Sequence, residues 1–234
     1  MNYLECTFVQ GFGSPVVRRH NTDKDDLENY VRLLRSARSL TELINKGQTL
    51  SRDGKNVLHL IAAEPDFASY EDLLTKCCED SRFISLLTQA PESAETPLHV
   101  LCKSGNFPML NFLISIPDER FNAPELHPKY WLNEMGRVKL KTTQDNAFHC
   151  LCQRSAPSES RTELQDHAYR TQIFEMLVKL FGDKEAVALA SEKNSAGQTL
   201  LDLSKAAGNT ELIKKVTELF AVNWRELSLE QAIY

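Results

Sequence analysis

Histidine and cysteine recur together in this chain. His99 precedes Cys102 by three residues, and His149, Cys150 and Cys152 are almost contiguous. Two chemistries use those types. A zinc site needs four ligands converging tetrahedrally. On a helix, however, Cys150 and Cys152 point about 200° apart and do not share one ion readily. A thiolate nucleophile needs an exposed thiol of low pKa, a base and an oxyanion hole. The i, i+3 spacing brings His99 within reach of Cys102, but nothing nearby supplies the remaining roles. Burial as small apolar side chains accounts for these cysteines better. Cys77-Cys78 closes an expected helix, where an exposed thiol would be a labelling site. Gly11-Phe12-Gly13 lacks the lysine and the strand–helix context of a phosphate loop, and Asp23, Asp25, Asp26 and Glu28 lack the central glycine of a calcium loop.

The elements that must carry these residues follow from one stretch, Glu95 to Asn106. Thr96-Pro97 starts a helix: the hydroxyl can accept a first-turn N–H, and proline at the first position loses nothing. Leu98, Leu101 and Cys102 share one apolar face, and Gly105 can end the helix in a left-handed conformation. A second apolar run, Met109, Leu110, Phe112 and Leu113, predicts an antiparallel partner helix. So short a pair cannot bury its own core and needs neighbours of the same kind.

Those neighbours are present. Asn56-Val57-Leu58-His59, Asn146-Ala147-Phe148-His149 and Thr199-Leu200-Leu201-Asp202 repeat the pattern, the last followed by Gly208-Asn209. The tetrapeptide Thr96-Pro97-Leu98-His99 with its later glycine resembles the ankyrin repeat. That resemblance covers roughly Asp53 to Leu219. It implies an all-α ankyrin-repeat solenoid of about four repeats with helical N- and C-terminal caps. It also implies that the histidines hydrogen-bond neighbouring loop backbone rather than catalyse. The spacing departs from the family. His59 to His99 is 40 residues and His99 to His149 is 50, against about 33 in a plain unit. Apolar groups at Leu43-Ile44, Phe83–Leu87 and Ala186–Leu189 predict that each repeat carries a short third helix before its loop. Ile116 to Thr143 and Gln153 to Asp166 read as insertions. The expected division is 1–50 for an N-terminal segment and capping helices. The repeats occupy 51–220 (about 53–90, 94–140, 144–191 and 195–220), and 221–234 form a C-terminal cap or tail.

Composition narrows the function. Lysine plus arginine number 27 against 32 acids, a net charge of −5, which argues against a general nucleic-acid binder. No apolar run approaches the roughly 20 residues of a membrane span. Met1 to Val9 lacks a basic leader region. Six cysteines at mostly apolar positions fit free thiols, so a cytoplasmic setting is expected. The expected function is a non-catalytic protein–protein interaction module, monomeric, without cofactor or metal. By the resemblance, a protein partner meets the loop tips and the concave face. Arg52, Asp53, Lys55, Glu95, Gln144, Asp145, Asn194 and Ser195 are the candidate tip contacts. Tyr130 and Trp131 in the first insertion are candidate anchors, because these residue types dominate binding hot spots. The alternatives are an enzyme with a Cys–His site built on the insertions, or an adaptor domain of a secreted bacterial effector acting on host proteins. The latter rests on the divergent long-looped repeats and on the acidic-plus-apolar tail Glu226 to Tyr234.

Overall fold

A computed structural model describes residues 55–64, 67–78, 93–121, 127–153 and 161–232, with the backbone alone for 76–77 and 223–232. The expected helices of 1–50, the Pro65-Asp66 turn, the apolar group at 83–87, Arg52 and Asp53 lie outside these residues, as do the side chains of Cys77 and Trp224. The described chain is all-α, and no strand occurs among the described residues. None of its helices is long and apolar enough to cross a membrane.

The helices come in pairs that repeat along the chain. The first pair is α1 (Val57–Ala63) with a 3-10 turn (Phe67–Tyr70) leading into α2 (Glu71–Cys78). The second is α3 (Pro97–Ser104) with α4 (Phe107–Ser115), after which come a 3-10 turn (Asp118–Arg120) and α5 (Pro128–Gly136). The third is α6 (Ala147–Cys150) with α7 (Glu163–Phe181), followed by α8 (Asp183–Ser191). The last is α9 (Leu200–Ala207) with α10 (Thr210–Ala232). The first helices pack in chain order, α1 on α3, α3 on α6 and α6 on α9. The second helices do likewise, α4 on α7 and α7 on α10.

The expected insertion, Ile116 to Thr143, is not left unpacked. It holds α5, which packs against both its own pair and the next, α6 and α7, as α8 does against α9 and α10. His127 fixes the start of α5: its Nδ1 accepts the Lys129 N–H at 2.9 Å, and its Nε2 donates to the Ile116 carbonyl at 2.7 Å. Gly136 ends α5 against the Phe181 ring, which a Cβ would overlap. Nor does a separate tail begin at 221, because α10 runs unbroken from Thr210 to Ala232.

Each first helix opens with the same device. The cap residues Asn56, Thr96, Asn146 and Thr199 are followed at the third helical position by His59, His99, His149 and Asp202. The cap N–H donates back to that side chain, at 3.1 Å for His59 and 3.2 Å for His99. This satisfies a donor that a helix start otherwise leaves unpaired. The Thr96 side chain takes part in this capping box, and its hydroxyl lies 2.7 Å from the His99 Nδ1. Two of the second helices, α4 and α10, are anchored by asparagine. Asn106 caps α4 through Met109 and donates from Nδ2 to the Ile61 and Glu64 carbonyls of the preceding unit. Gly105 at φ 65° makes the turn that places it.

Candidate functional site

The loop tips before the last three caps share a backbone conformation. Ala94, Gln144 and Gly197, each two residues before a cap, have φ of 61°, 57° and 74°. The tips are tied to one another. Lys141 N–H donates to the Ser93 carbonyl at 3.0 Å, and Ser195 N–H to the Thr143 carbonyl at 2.8 Å. The histidines tie each unit to the next: Nε2 donates from His59 to the Glu95 carbonyl, from His99 to Val138 and from His149 to Glu192, at 2.9, 3.0 and 3.0 Å. A left-handed alanine costs about 1–2 kcal/mol, whereas glycine's larger unfolded-state entropy costs about 0.4–1 kcal/mol. Ala94→Gly is therefore expected to stabilise the protein by roughly 0.5–1 kcal/mol in urea unfolding. A lowered unfolding midpoint would show that the tip is held by side-chain packing at Ala94 and not limited by its φ.

Several candidate contact residues are already engaged inside this frame. Asp145 is 1 % exposed; it accepts Asn194 Nδ2 at 2.9 Å and Gln153 Nε2 at 2.5 Å. It braces two tips and is not an exposed contact. Asn194 is half-buried, and its Oδ1 accepts the Ala196 and Gln198 N–H groups. Glu95 pairs with Lys103 at 2.5 Å and with Lys55 at 3.6 Å. Burial pushes the Glu95 carboxyl up, but the Lys103 hydrogen bond and the two lysine charges outweigh it and hold the pKa below the usual range. Gln144 is exposed, with its amide turned back on the Leu140 and Lys141 carbonyls.

What stays open is a smaller set. Ser195 and Lys141 are exposed, and Tyr130 is 48 % exposed. Trp131 is half-buried, its ring edge-on to Tyr130 at 5.4 Å. The frame brings the tip residues into one row. Tyr130 and Trp131 belong to α5, a helix wedged between units.

The cysteines and histidines sit where chemistry is suppressed. Cys102 and Cys150 are fully buried, and Cys152 is half-buried. Burial pushes the Cys150 and Cys152 thiols up to about 12 and Cys102 well above its ordinary value. Both ring nitrogens of His99 are engaged, Nδ1 by Thr96 and Nε2 by Val138. Its imidazole therefore has no free nitrogen to serve Cys102 as a base. Among the described residues no group of three or more His, Cys, Asp and Glu side chains is placed to hold a metal ion.

One functional side chain escapes the reading from sequence. Arg170 is 5 % exposed and aims its guanidinium at the ends of α3 and α6. The signal was present: Arg170 shares a helix face with Ile173, Phe174, Leu177 and Phe181, an apolar stripe that an arginine enters only with partners. No protein-family model matches the sequence, and neither does any curated protein.

Proposed function

We propose that this chain is a non-catalytic interaction module of the ankyrin type, binding a protein partner along its row of loop tips and the adjoining face of α5. The tip-to-tip backbone hydrogen bonds carry this reading. They fix the spacing of successive tips while leaving Lys141, Ser195 and Tyr130 exposed on a rigid frame. A rigid scaffold presenting variable tips loses little entropy on binding. The histidine relays from three first helices to the next unit support the family assignment. A Cys–His enzyme is disfavoured by the raised thiol pKa values and the engaged imidazoles.

The test uses the full chain as bait, with any captured protein then purified for titration calorimetry. Tyr130→Ala combined with Ser195→Arg is expected to weaken that binding by at least roughly 30-fold, the loss of about 2 kcal/mol typical of a hot spot. The melting temperature should stay within about 2 °C, since both residues are exposed. Undiminished affinity of the double variant would remove the tip row and α5 as the binding surface.

A further inference from the structure

A second concavity lies away from the tips. It is a groove of about 580 Å³ built from the second helices of three successive units: the Phe67–Tyr70 turn with the start of α2, then α4, then α7. Its walls are aromatic. Phe112 meets Phe67 at 5.4 Å between ring centroids, and Phe107 stacks on Tyr169 at 6.0 Å. The rings of the main core, Phe148 and Phe174, are sealed from solvent. By contrast, Phe107, Phe112 and Tyr169 are each half-exposed. Both phenylalanines of α4 thus join a neighbouring unit and also line the groove.

The charge of the groove is one-sided. Glu71 is the one residue among its described lining that is charged at neutral pH, and it is exposed. No hydrogen bond or ion pair engages its carboxylate within the described residues. Asp72 is exposed in the same helical turn. Asn111, Ser115 and Gln172, all exposed, add neutral hydrogen-bonding groups along the rim. Aromatic faces carry negative charge density and attract ammonium and guanidinium groups. The protein already uses that affinity here, for the Arg161 guanidinium lies 4.9 Å from the centroid of the Tyr169 ring. Arg161 is itself spent on the Ser104 and Gly105 carbonyls.

We propose that this groove is a second docking site, taking a segment of a protein partner in which a basic side chain stands beside a bulky apolar one. The apolar side chain would fill the space between the two aromatic pairs, and the basic one would lie over a ring face with its head on Glu71. The span across three units suits an extended segment running across the helices. The site is separate from the tip row, so either can fail without the other.

Fluorescence anisotropy with the full chain tests this, using a dye-labelled peptide Gly-Ser-Lys-Phe-Lys-Leu-Lys-Gly-Ser and its counterpart with glutamate for lysine. At physiological salt the lysine peptide is expected to bind at least roughly tenfold more tightly. Glu71→Lys should weaken it about tenfold. Asn111→Arg, which fills the groove with a like charge, should weaken it at least as much. Both positions are exposed, and circular dichroism should show unchanged melting. The tip variant Ser195→Arg should bind the peptide as the wild type does. Equal binding of the two peptides, or indifference to Asn111→Arg, would overturn the proposal. So would a dimer in light scattering that Asn111→Arg dissolves, since the groove would then belong to a second copy of the chain.

Discussion

Arg170→Ala is expected to cost about 3–5 kcal/mol of folding stability, the range for removing one partner from a buried charged network. The guanidinium donates from Nη1 to the Leu151 carbonyl at 2.6 Å and to Gln153 at 3.0 Å, and from Nη2 to Lys103 at 2.8 Å. Its Nε meets the Asp166 carboxylate at 2.7 Å, one turn earlier on α7. These carbonyls lie at the ends of two stacked first helices, where the last carbonyl groups have no partner within the helix. One side chain thus closes two helices and fixes α7 against both. Truncation leaves three carbonyls and a carboxylate unpaired, each at a cost of about 1–3 kcal/mol when buried. Arg170→Lys should fall between, because an ammonium lacks the planar fork that reaches both helix ends. Asp166→Asn should cost less, since Asp166 is half-buried and keeps an acceptor oxygen. Urea unfolding followed by circular dichroism reads all three. An Arg170→Ala midpoint within about 0.5 kcal/mol of wild type would mean that water replaces the guanidinium there.

The helix starts are legible from sequence because they rest on local chemistry. A cap and a histidine three positions on are adjacent in the chain, and so are Gly105 and Asn106. Residues whose roles depend on distant partners are not. Arg170 serves carbonyls of its own unit and of the preceding one, and the apolar stripe around it shows that it needs partners without showing which. Asp145 reads as a loop-tip residue, yet it is buried between Asn194 and Gln153 beside the left-handed Gln144. The helix α5 is missed because Ile116 to Thr143 departs from the compact repeat and reads as an insertion; Pro128 is the first residue of the helix, where a missing N–H costs nothing. The continuous α10 is missed because Asn223-Trp224 interrupts the apolar spacing without stopping the backbone.

Acid is expected to dismantle the fold across one defined window. The carbonyl acceptors of His59 and His99 require a proton on Nε2, and the cap N–H groups require a bare Nδ1. The native rings are therefore neutral. Burial is the main cause of their low basicity and holds both pKa values at about 4, against 6.5 ordinarily. Lys55 lowers His59 further and Lys103 does so for His99; Glu95, and Asp145 for His99, pull the other way. In the unfolded chain both rings protonate near pH 6.5. Between that value and about 4 the unfolded state binds more protons, so stability falls as pH falls. Below about 4 both states are protonated and this contribution to the slope ends. At about 1.4 kcal/mol per pH unit, each ring contributes a loss on the order of 3 kcal/mol. Two such losses rival the whole stability of many domains, about 5–15 kcal/mol. Glu95 adds a further loss: its lowered carboxyl pKa stabilises above about 4.5, and that part is lost as pH falls from there through its folded value, beginning at the lower end of the histidine window. The urea midpoint should therefore drop steeply from pH 6.5 to 4.5. The imidazole C2–H resonances of His59 and His99 should stay unshifted to about pH 5 in the folded protein. The double variant His59→Gln with His99→Gln keeps an acceptor at the third helical position. It is expected to be less stable at pH 7.5 but nearly insensitive to pH across the window. A wild-type midpoint that is equal at pH 7.5 and 5 would show that the folded protein accommodates both imidazolium ions, and the capping relays would then not be what acid breaks.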